Sequence, residues 1–262
     1  MVPCITLNNC YNITITANKL YNSSDVGIYL CHCKNITVEN NYITGVSTGV
    51  YVLQTTAGGI VVDRNQFLNM LGPFPRGQFV QFNNVSGPNN SIERNRCVNI
   101  LGQSYPEDGI SLYQSHGIAG NRIVIMNNWI SGGGPSKSGG GIMLGDAGGS
   151  YLTAFNNILV NPGQYGIAIA GGDHNSIVHN FIYGKSQSFT NIGIYVDGIG
   201  GYPVTNSKVA ENSVNFFNSS GISNNAWLAP GIDTPAGWST NIWGDHNITP
   251  AMLPSNIITF NN

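Results

Sequence analysis

A short recurring pattern constrains the fold of this chain more than any other feature. Two apolar residues flank a variable one, and an asparagine stands three positions further on, as in ITVENNYI ending at Ile43 and IVVDRNQF ending at Phe67. The closest copies are 23 or 24 residues apart, which is the length of one repeating unit and not of a domain. The shared asparagines are Asn18, Asn41, Asn65, Asn95, Asn128, Asn157, Asn180 and Asn212.

A second pattern, glycine-apolar-any-apolar, lies between these copies. It begins at Gly27, Gly49, Gly109, Gly141, Gly166 and Gly193, and the copy near Gly77 is out of phase by a residue or two. Alternation with period two indicates strands that bury one face. Strands of three or four residues are too short to be stable alone, so neighbouring repeats must share one core. The sequence predicts an all-β solenoid of about nine to ten rungs, with the asparagines stacked in a ladder.

The repeats also set the predicted domain organisation. Residues 1–222 are predicted to form the rungs, and residues 223–262 an irregular segment rich in Trp, Pro and Gly that packs on the last rungs with a closing strand. The pattern starts and stops in mid-rung, which leaves strand edges and core side chains to be covered. This favours end-to-end self-association or continuation in a longer chain.

Charge limits the partners of the protein. Only 8% of the residues are charged and the formal net charge is -2, so no basic excess is present to bind nucleic acid. No apolar run is long enough for membrane insertion. The low charge suits a surface that meets neutral sugars, although the many Asn and Gly residues have a simpler role in turns.

The motif NITVENNYITGVSTGVYV resembles the generic rung of the pectate-lyase-like superfamily, and the resemblance covers nearly the whole chain. It implies a single-stranded right-handed parallel β-helix with an asparagine ladder. Such rungs occur in pectate lyases, polygalacturonases, alginate epimerases, phage tailspikes and NosD-like periplasmic proteins. The resemblance therefore implies a fold, a glycan partner and an extracellular, periplasmic or cell-surface location, but no single activity.

In this superfamily the cleft lies over the outer face of the first strand, so catalytic and binding residues are expected on or beside that strand. Its outward residues are predicted to be Tyr29, Tyr51, Ser111, Met143, Ala168 and Tyr195, and none is a carboxylate. The acidic cluster with which pectate lyases bind calcium is missing from this strand. No metal site or cofactor is predicted, and Ca²⁺ is left open by the resemblance alone. Asp108 in PEDGISL resembles a polygalacturonase rung, but the next rung lacks the paired aspartate.

Ionisable residues recur just after the first strand of successive rungs: His116, then Asp146, then Asp173 with His174, then Asp197. If these lie on one ledge, neighbouring carboxylates are about 5 Å apart and those two rungs apart about 10 Å. Glycosidases work with carboxyl pairs at about 5–9.5 Å. Asp146, Asp173 and Asp197 are therefore the candidate catalytic acids. The alternative is that aspartates in glycine-rich turns only cap backbone amides.

The remaining candidates are residues for substrate contact, since rings offer sugars a flat apolar face and charged groups bind polar ones. They are His116, His174, Tyr113, Tyr195, Asp108, Lys137 and Lys185. A separate column of Glu39, Asp63 and Glu93 is predicted to pair with Arg64 and Arg94 as a surface stripe. The sequence thus favours an extracellular carbohydrate-active β-helix, a glycoside hydrolase or polysaccharide lyase if catalytic. The alternative is a non-catalytic structural or adhesive module of a fibre, spike or filament.

Overall fold

A computed structural model describes residues 2–73 and 76–260 and shows a coil of strands laid down in three sheets. Each of the first eight rungs contributes a strand to each sheet, and strands of neighbouring rungs pair in parallel, as β1 (Ile5–Asn8) does with β4 (Ile28–Cys31). The all-β parallel solenoid predicted from the repeats is confirmed. We call the sheets A, B and C in the order in which a rung enters them.

The strands have the following bounds. Sheet A contains β1, β4, β7 Val50–Leu53, β10 Val80–Asn83, β13 Ile110–His116, β16 Ile142–Ser150, β19 Tyr165–Ile169, β23 Ile192–Val196 and β27 Ala226–Leu228, with the short β20 Gly172–Asp173 and β24 Val204–Thr205. Sheet B contains β2 Tyr11–Thr16, β5 Lys34–Glu39, β8 Ile60–Asp63, β11 Ser91–Glu93, β14 Ile123–Met126, β17 Leu152–Phe155, β21 Ser176–Val178 and β25 Lys208–Ala210. Sheet C contains β3 Lys19–Ser23, β6 Tyr42–Val46, β9 Gln66–Leu68, β12 Arg96–Val98, β15 Trp129–Ser131, β18 Ile158–Val160, β22 Phe181–Gly184, β26 Ser213–Phe216 and β28 Ile242–Trp243. Short 3-10 helices span Ile199–Gly201, Trp238–Thr240 and Pro250–Met252.

The core is a set of apolar columns that run along the axis of the coil. In sheet A, Ile28 pairs with Val50, Val50 with Val80 and Val80 with Ile110, and each is fully buried. Burying such a side chain contributes about 1.5–3 kcal/mol to the stability of the fold. The column repeats this contribution in every rung, so the stack is stable although each strand is short. The alternate residues of the same strands face outward and are available for function.

Nine asparagines form a column at the turn between sheets B and C, and Asn241 is its ninth member. The Nδ2 of each donates to the Oδ1 of the asparagine in the next rung, at 2.7–3.1 Å. Asn128 also donates to the carbonyl of Ile92, and its Oδ1 accepts from the amide of Asn95. The buried polar groups of the turn are thereby satisfied, which a solenoid needs once per rung.

The out-of-phase rung has a simple structural explanation. Phe79, and not Gly77, occupies the position of the glycine before the strand, because its amide donates to Gly109 and its carbonyl accepts from Val50. A Cβ on Gly49 would lie 2.4 Å from the Phe79 carbonyl oxygen and 2.6 Å from the Phe67 ring. Glycine at position 49 therefore leaves room for the Phe79 carbonyl and for the Phe67 ring.

The coil continues beyond the predicted boundary at residue 222. Strand β27 extends sheet A, β28 extends sheet C, and the rings of Trp238 and Trp243, 5.2 Å apart, pack against the end of the core. The chain then runs back along the outer face of sheet C, where Phe260 stacks on Tyr42 of the second rung at 4.7 Å. Within the part of the chain described, no helix is long and apolar enough to cross a membrane.

Candidate functional site

The outer face of sheet A is the floor of a groove that runs along the axis. The register places one outward residue per rung in a single column: Thr6, Tyr29, Tyr51, Gln81, Ser111, Met143, Ala168, Tyr195 and Trp227. Rungs are about 4.8 Å apart, so this floor is about 38 Å long. It contains six of the outward residues expected from the sequence, and Gln81 was missed because its rung is out of phase.

Three cavities open along this floor and share residues, so they form one continuous groove. The central cavity of 630 Å³ lies above rungs three to eight. It meets a 360 Å³ cavity at Arg76 on the N-terminal side and a 420 Å³ cavity at Tyr195 and Ile199 on the C-terminal side. A groove of this shape suits an extended chain better than a compact ligand.

Asp108 is the most buried acid of the central cavity. It lies two residues before β13, is 6% exposed, and its Oδ1 accepts hydrogen bonds from the Tyr165 hydroxyl and from the Gly140 amide at 3.1 Å. The Tyr165 ring reaches Asp108 across the intervening rung because Gly140 has no side chain there. Burial raises the pKa of Asp108 to about 7, although the two hydrogen bonds oppose this shift.

Asp146 and Glu107 add two further carboxyl groups to the central cavity. Asp146 lies within β16, where it pairs with Tyr113 of β13, and its pKa is raised by burial and by the charge of Glu107. Glu107 is held by the hydroxyls of Ser136 and Ser138, at 2.6 and 2.5 Å. The negative charges of Glu107 and Asp146 also raise the pKa of Asp108, so the three groups interact electrostatically.

Apolar and aromatic side chains surround these acids. The Tyr195 ring meets Tyr165 edge to face at 5.1 Å, and its hydroxyl lies 3.9 Å from the Met143 sulfur. Burial and the nearby aspartates raise the pKa of the Tyr195 phenol, so the hydroxyl stays protonated and can donate. Tyr113 completes this part of the lining. Asp108, Tyr113, Asp146 and Tyr195, all predicted from the sequence, thus meet in one cavity.

The expected single ledge of aspartates is wrong. Asp146 pairs in register with Tyr113, whereas Asp173 pairs with Ser150 and so lies in the column of His116. The register shifts after Leu112, where Gly145 adopts a positive φ of 71° and inserts an extra residue. Counting residues from the strand start therefore misplaces every residue beyond this bulge.

Asp173 is held by hydrogen bonds from neighbouring side chains. Its Oδ1 accepts from Thr205 at 2.7 Å and from Asn206 at 2.8 Å, and its Oδ2 lies 2.6 Å from Nδ1 of His174. These hydrogen bonds from Asn206, Thr205 and His174 lower the pKa of Asp173 to about 2. His174 also stacks on Tyr151 at 4.9 Å. Asp173 is therefore a charged residue of the short strand β20, and its partners are side chains, not the backbone amides that the alternative interpretation expected.

The other predicted residues are dispersed. Asp197 borders the C-terminal cavity with Tyr195 and Trp227. His116 is exposed, with Nδ1 at 3.1 Å from the Ser150 hydroxyl, and lies in the column of Asp173. Lys137 lines a separate polar cavity and Lys185 is exposed. Within residues 2–73 and 76–260, no group of three His, Cys, Asp or Glu side chains is arranged to hold a metal ion.

Sequence reasoning missed Glu107, Arg76 and Asn83 as residues of the groove. Glu107 adjoins Asp108, so the acidic pair in PEDGISL was a usable signal. Arg76 lies in a lengthened turn before a first strand, the kind of turn that builds cleft walls. Asn83 donates to the Tyr51 hydroxyl at 2.9 Å, a contact across one rung that follows only from the register.

Comparisons with known proteins agree with the architecture. The family model described as "Right handed beta helix region" matches residues 3–182. A search of curated proteins finds no match. Among solved structures, the catalytic unit of a thermostable GH87 alpha-1,3-glucanase from Streptomyces thermodiastaticus is similar at 14% identity and a TM-score of 0.42, and covers 90% of this chain. The chain spans 46% of the length of that protein. Because the family model matches well over half of the residues, this chain belongs to the right-handed β-helix family.

Proposed function

We propose that the groove above sheet A binds a polysaccharide chain and that Asp108 and Asp146 hydrolyse it. The observation that carries this proposal is the pair of carboxyl groups with raised pKa values that line one cavity, Asp108 just before β13 and Asp146 in the later part of β16. Perturbed pKa values of this kind are common at catalytic sites. The paired and neutralised acids elsewhere on the coil offer no such arrangement.

The floor has side chains of the kinds that contact sugars. Met143 and Tyr195 provide apolar and aromatic faces, and Gln81 and Ser111 add hydrogen-bonding groups. Sugar rings pack their C–H faces on aromatic side chains and direct hydroxyls to polar neighbours. A polysaccharide in this groove lies along the axis, across the strands. Such a substrate suits a protein that acts outside the cytoplasm.

In the proposed reaction Asp108 is the general acid. Both of its hydrogen bonds go to Oδ1, so its proton belongs on Oδ2. The proton passes to the glycosidic oxygen as the bond from that oxygen to the anomeric carbon breaks. Asp146, in its carboxylate form, takes a proton from the water that attacks the anomeric carbon from the other face. The products are two shorter chains, with inversion at the anomeric carbon.

Glu107 and Tyr195 have supporting roles. Burial and, after it, the charge of Glu107 raise the pKa of both aspartates, so part of the Asp108 population keeps its proton near pH 7. Tyr195 stays protonated and offers a hydroxyl donor between the acids and the C-terminal cavity. These roles position and tune the acids without contact with the broken bond.

The test is a screen of neutral and acidic polysaccharides, read by new reducing ends and, separately, by binding to the same polymers. Asp108→Asn and Asp146→Asn should keep binding while hydrolysis falls by about 10²–10⁴-fold. Asp173→Asn, outside the groove, is the matched control. Wild-type binding without product in any polymer would leave a glycan-recognition protein and refute catalysis. Absence of binding to every polymer would refute the carbohydrate function.

A further inference from the structure

Arg76 is a groove residue with an unusual setting. Its side chain lines both the central cavity and the N-terminal cavity, and so stands at their junction. The guanidinium carbon lies 4.0 Å from the centre of the Tyr51 ring. A guanidinium stacked on a ring at this distance is held flat, with its edge free to meet a ligand.

The charge of Arg76 has no counterion among the residues that the structure describes. Six ion pairs occur among the residues described, and none includes Arg76. Its Nη1 is shielded from solvent and makes no hydrogen bond. Arg94, by contrast, binds both oxygens of Asp63 at 2.9 Å. A half-buried cation without an acceptor indicates that an anion from outside the chain completes the site.

The acids of the groove do not supply that acceptor. Asp25, in the N-terminal cavity, directs Oδ1 to the amide of Val26 at 2.8 Å. Glu107, in the central cavity, is held by Ser136 and Ser138. Among the residues that line the three groove cavities, Arg76 is the single Lys, Arg or His side chain.

The distribution of charge limits what kind of anion fits. The same lining includes Asp25, Glu107, Asp108, Asp146 and Asp197. A polymer with a carboxylate on every sugar would be repelled along most of this length. A polymer with carboxylates at intervals can place one at Arg76 and neutral sugars beside the acids.

The position along the axis defines where the carboxylate lies relative to the reaction. Arg76 stacks on Tyr51 of β7, Asp108 precedes β13 two rungs further on, and Asp146 lies in β16 three rungs further on. At about 4.8 Å per rung, the carboxylate is about 10–14 Å from the acids. Such a contact is present in ground state and transition state alike, so it affects KM more than kcat.

We propose that the groove takes a heteropolysaccharide with uronic acids at intervals, and that Arg76 binds one uronate carboxylate in the junction of the two cavities. This inference rests on the proposed function and adds the substrate class. The planar fork of the guanidinium matches the two oxygens of a carboxylate, which lysine cannot do to the same degree.

The experiment uses matched polymers and variants of the full chain. Glucuronoxylan, hyaluronan and gellan are each tested beside the same polymer with its carboxyl groups chemically reduced to alcohols, and polygalacturonate represents a fully charged chain. Binding and, where product forms, KM and kcat are measured. Arg76→Ala and Arg76→Lys are compared with Arg96→Ala, because Arg96 also stacks on a ring, Trp129 at 5.1 Å, but lies on sheet C.

The expected result is that at least one intermittently charged polymer binds about tenfold to a hundredfold more tightly than its reduced form. Arg76→Ala should erase that difference with little change in kcat, Arg76→Lys should keep part of it, and Arg96→Ala should keep all of it. Equal binding of native and reduced polymers, or tight binding of neutral polymers that Arg76→Ala does not change, would overturn this inference and leave the proposed function standing. If the wild-type protein binds none of the glycans, both this inference and the proposed function would be overturned.

Discussion

The aspartates of the central cavity and those elsewhere on the coil differ both in their place in the repeat and in their partners. Asp108 is buried with two hydrogen bonds to one oxygen and no cation, and its pKa is raised to about 7. Asp173 accepts from Thr205 and Asn206 and faces His174, and its pKa is lowered to about 2. Asp63 is 4% exposed and is paired with Arg64 and Arg94. The candidate catalytic acid lines the groove without a cationic partner, whereas the structural acids lie elsewhere and are paired.

The largest difference in kcat is expected between a variant that lacks a candidate catalytic acid and one that lacks a structural acid. Asp146→Asn is expected to lower kcat by about 10²–10⁴-fold, because the water loses its base, while Asp173→Asn should change kcat by less than about threefold. The measurement is the rate of reducing-end release on the best polymer of the screen, with far-UV circular dichroism to confirm folding. Equal losses in both variants would abolish the distinction between the two classes.

The free energy of unfolding should change in opposite directions when a paired acid and an unpaired one are replaced. Asp63→Asn leaves two arginines without their shared partner and is expected to lower the free energy of unfolding by about 1–3 kcal/mol, since both arginines are half exposed. Asp108→Asn keeps an acceptor for Tyr165 and Gly140 and removes a buried charge. At pH 8 it should raise the free energy of unfolding by about 2–4 kcal/mol. Urea unfolding at pH 8 measures both.

The sign for Asp108 follows from its raised pKa. Between the usual aspartate value of 3.8 and about 7, the folded protein holds a proton that the unfolded chain has released. Stability therefore falls as pH rises through this window, and the fall should be absent in Asp108→Asn. An unchanged slope in that variant would show that Asp108 is ionised in the folded protein.

Activity should have a bell-shaped pH dependence. The rate is expected to fall above about pH 7 as Asp108 loses its proton, and to fall in acid as Asp146 gains one, at a pH above the usual aspartate range. Measuring kcat/KM from pH 4 to 9 tests this. Asp173→Asn should leave both limbs in place, because its titration is far below this range.

Tyr165→Phe should have the smallest effect on activity, a shift of the alkaline limb of the pH–rate profile. The Tyr165 hydroxyl donates to Asp108 and lowers the pKa of that carboxyl, so its removal should shift the alkaline limb upward by about half to one pH unit. The rate at pH 5 should change little, which separates a tuning role from a loss of folding. A downward shift, or a uniform loss of rate at all pH values, would contradict this role.

Much of the fold could be predicted from the sequence because the signal repeats. Each rung restates the alternation of apolar residues, the glycine before the strand and the asparagine after it, so errors at single positions are averaged out. The salt-bridged stripe was also predicted, and Arg64 meets Glu39 at 2.8 Å as expected. Residues at the same place in successive short rungs must be neighbours. The candidate site was predicted in part, since Asp146, Asp108, Tyr113 and Tyr195 were named without knowledge that they share a cavity.

The sequence by itself determined the coil, the outward face of sheet A and the asparagine column, because these depend on spacings that are nearly constant from rung to rung. Only the tertiary structure decided which acids converge. The register shifts in β16, one of them at Gly145, increased the offset between Asp146 and Asp173, and the absence of a side chain at Gly140 let Tyr165 reach Asp108. Such contacts depend on the lengths and bends of individual turns, which do not repeat, so no periodic signal in the sequence could specify them.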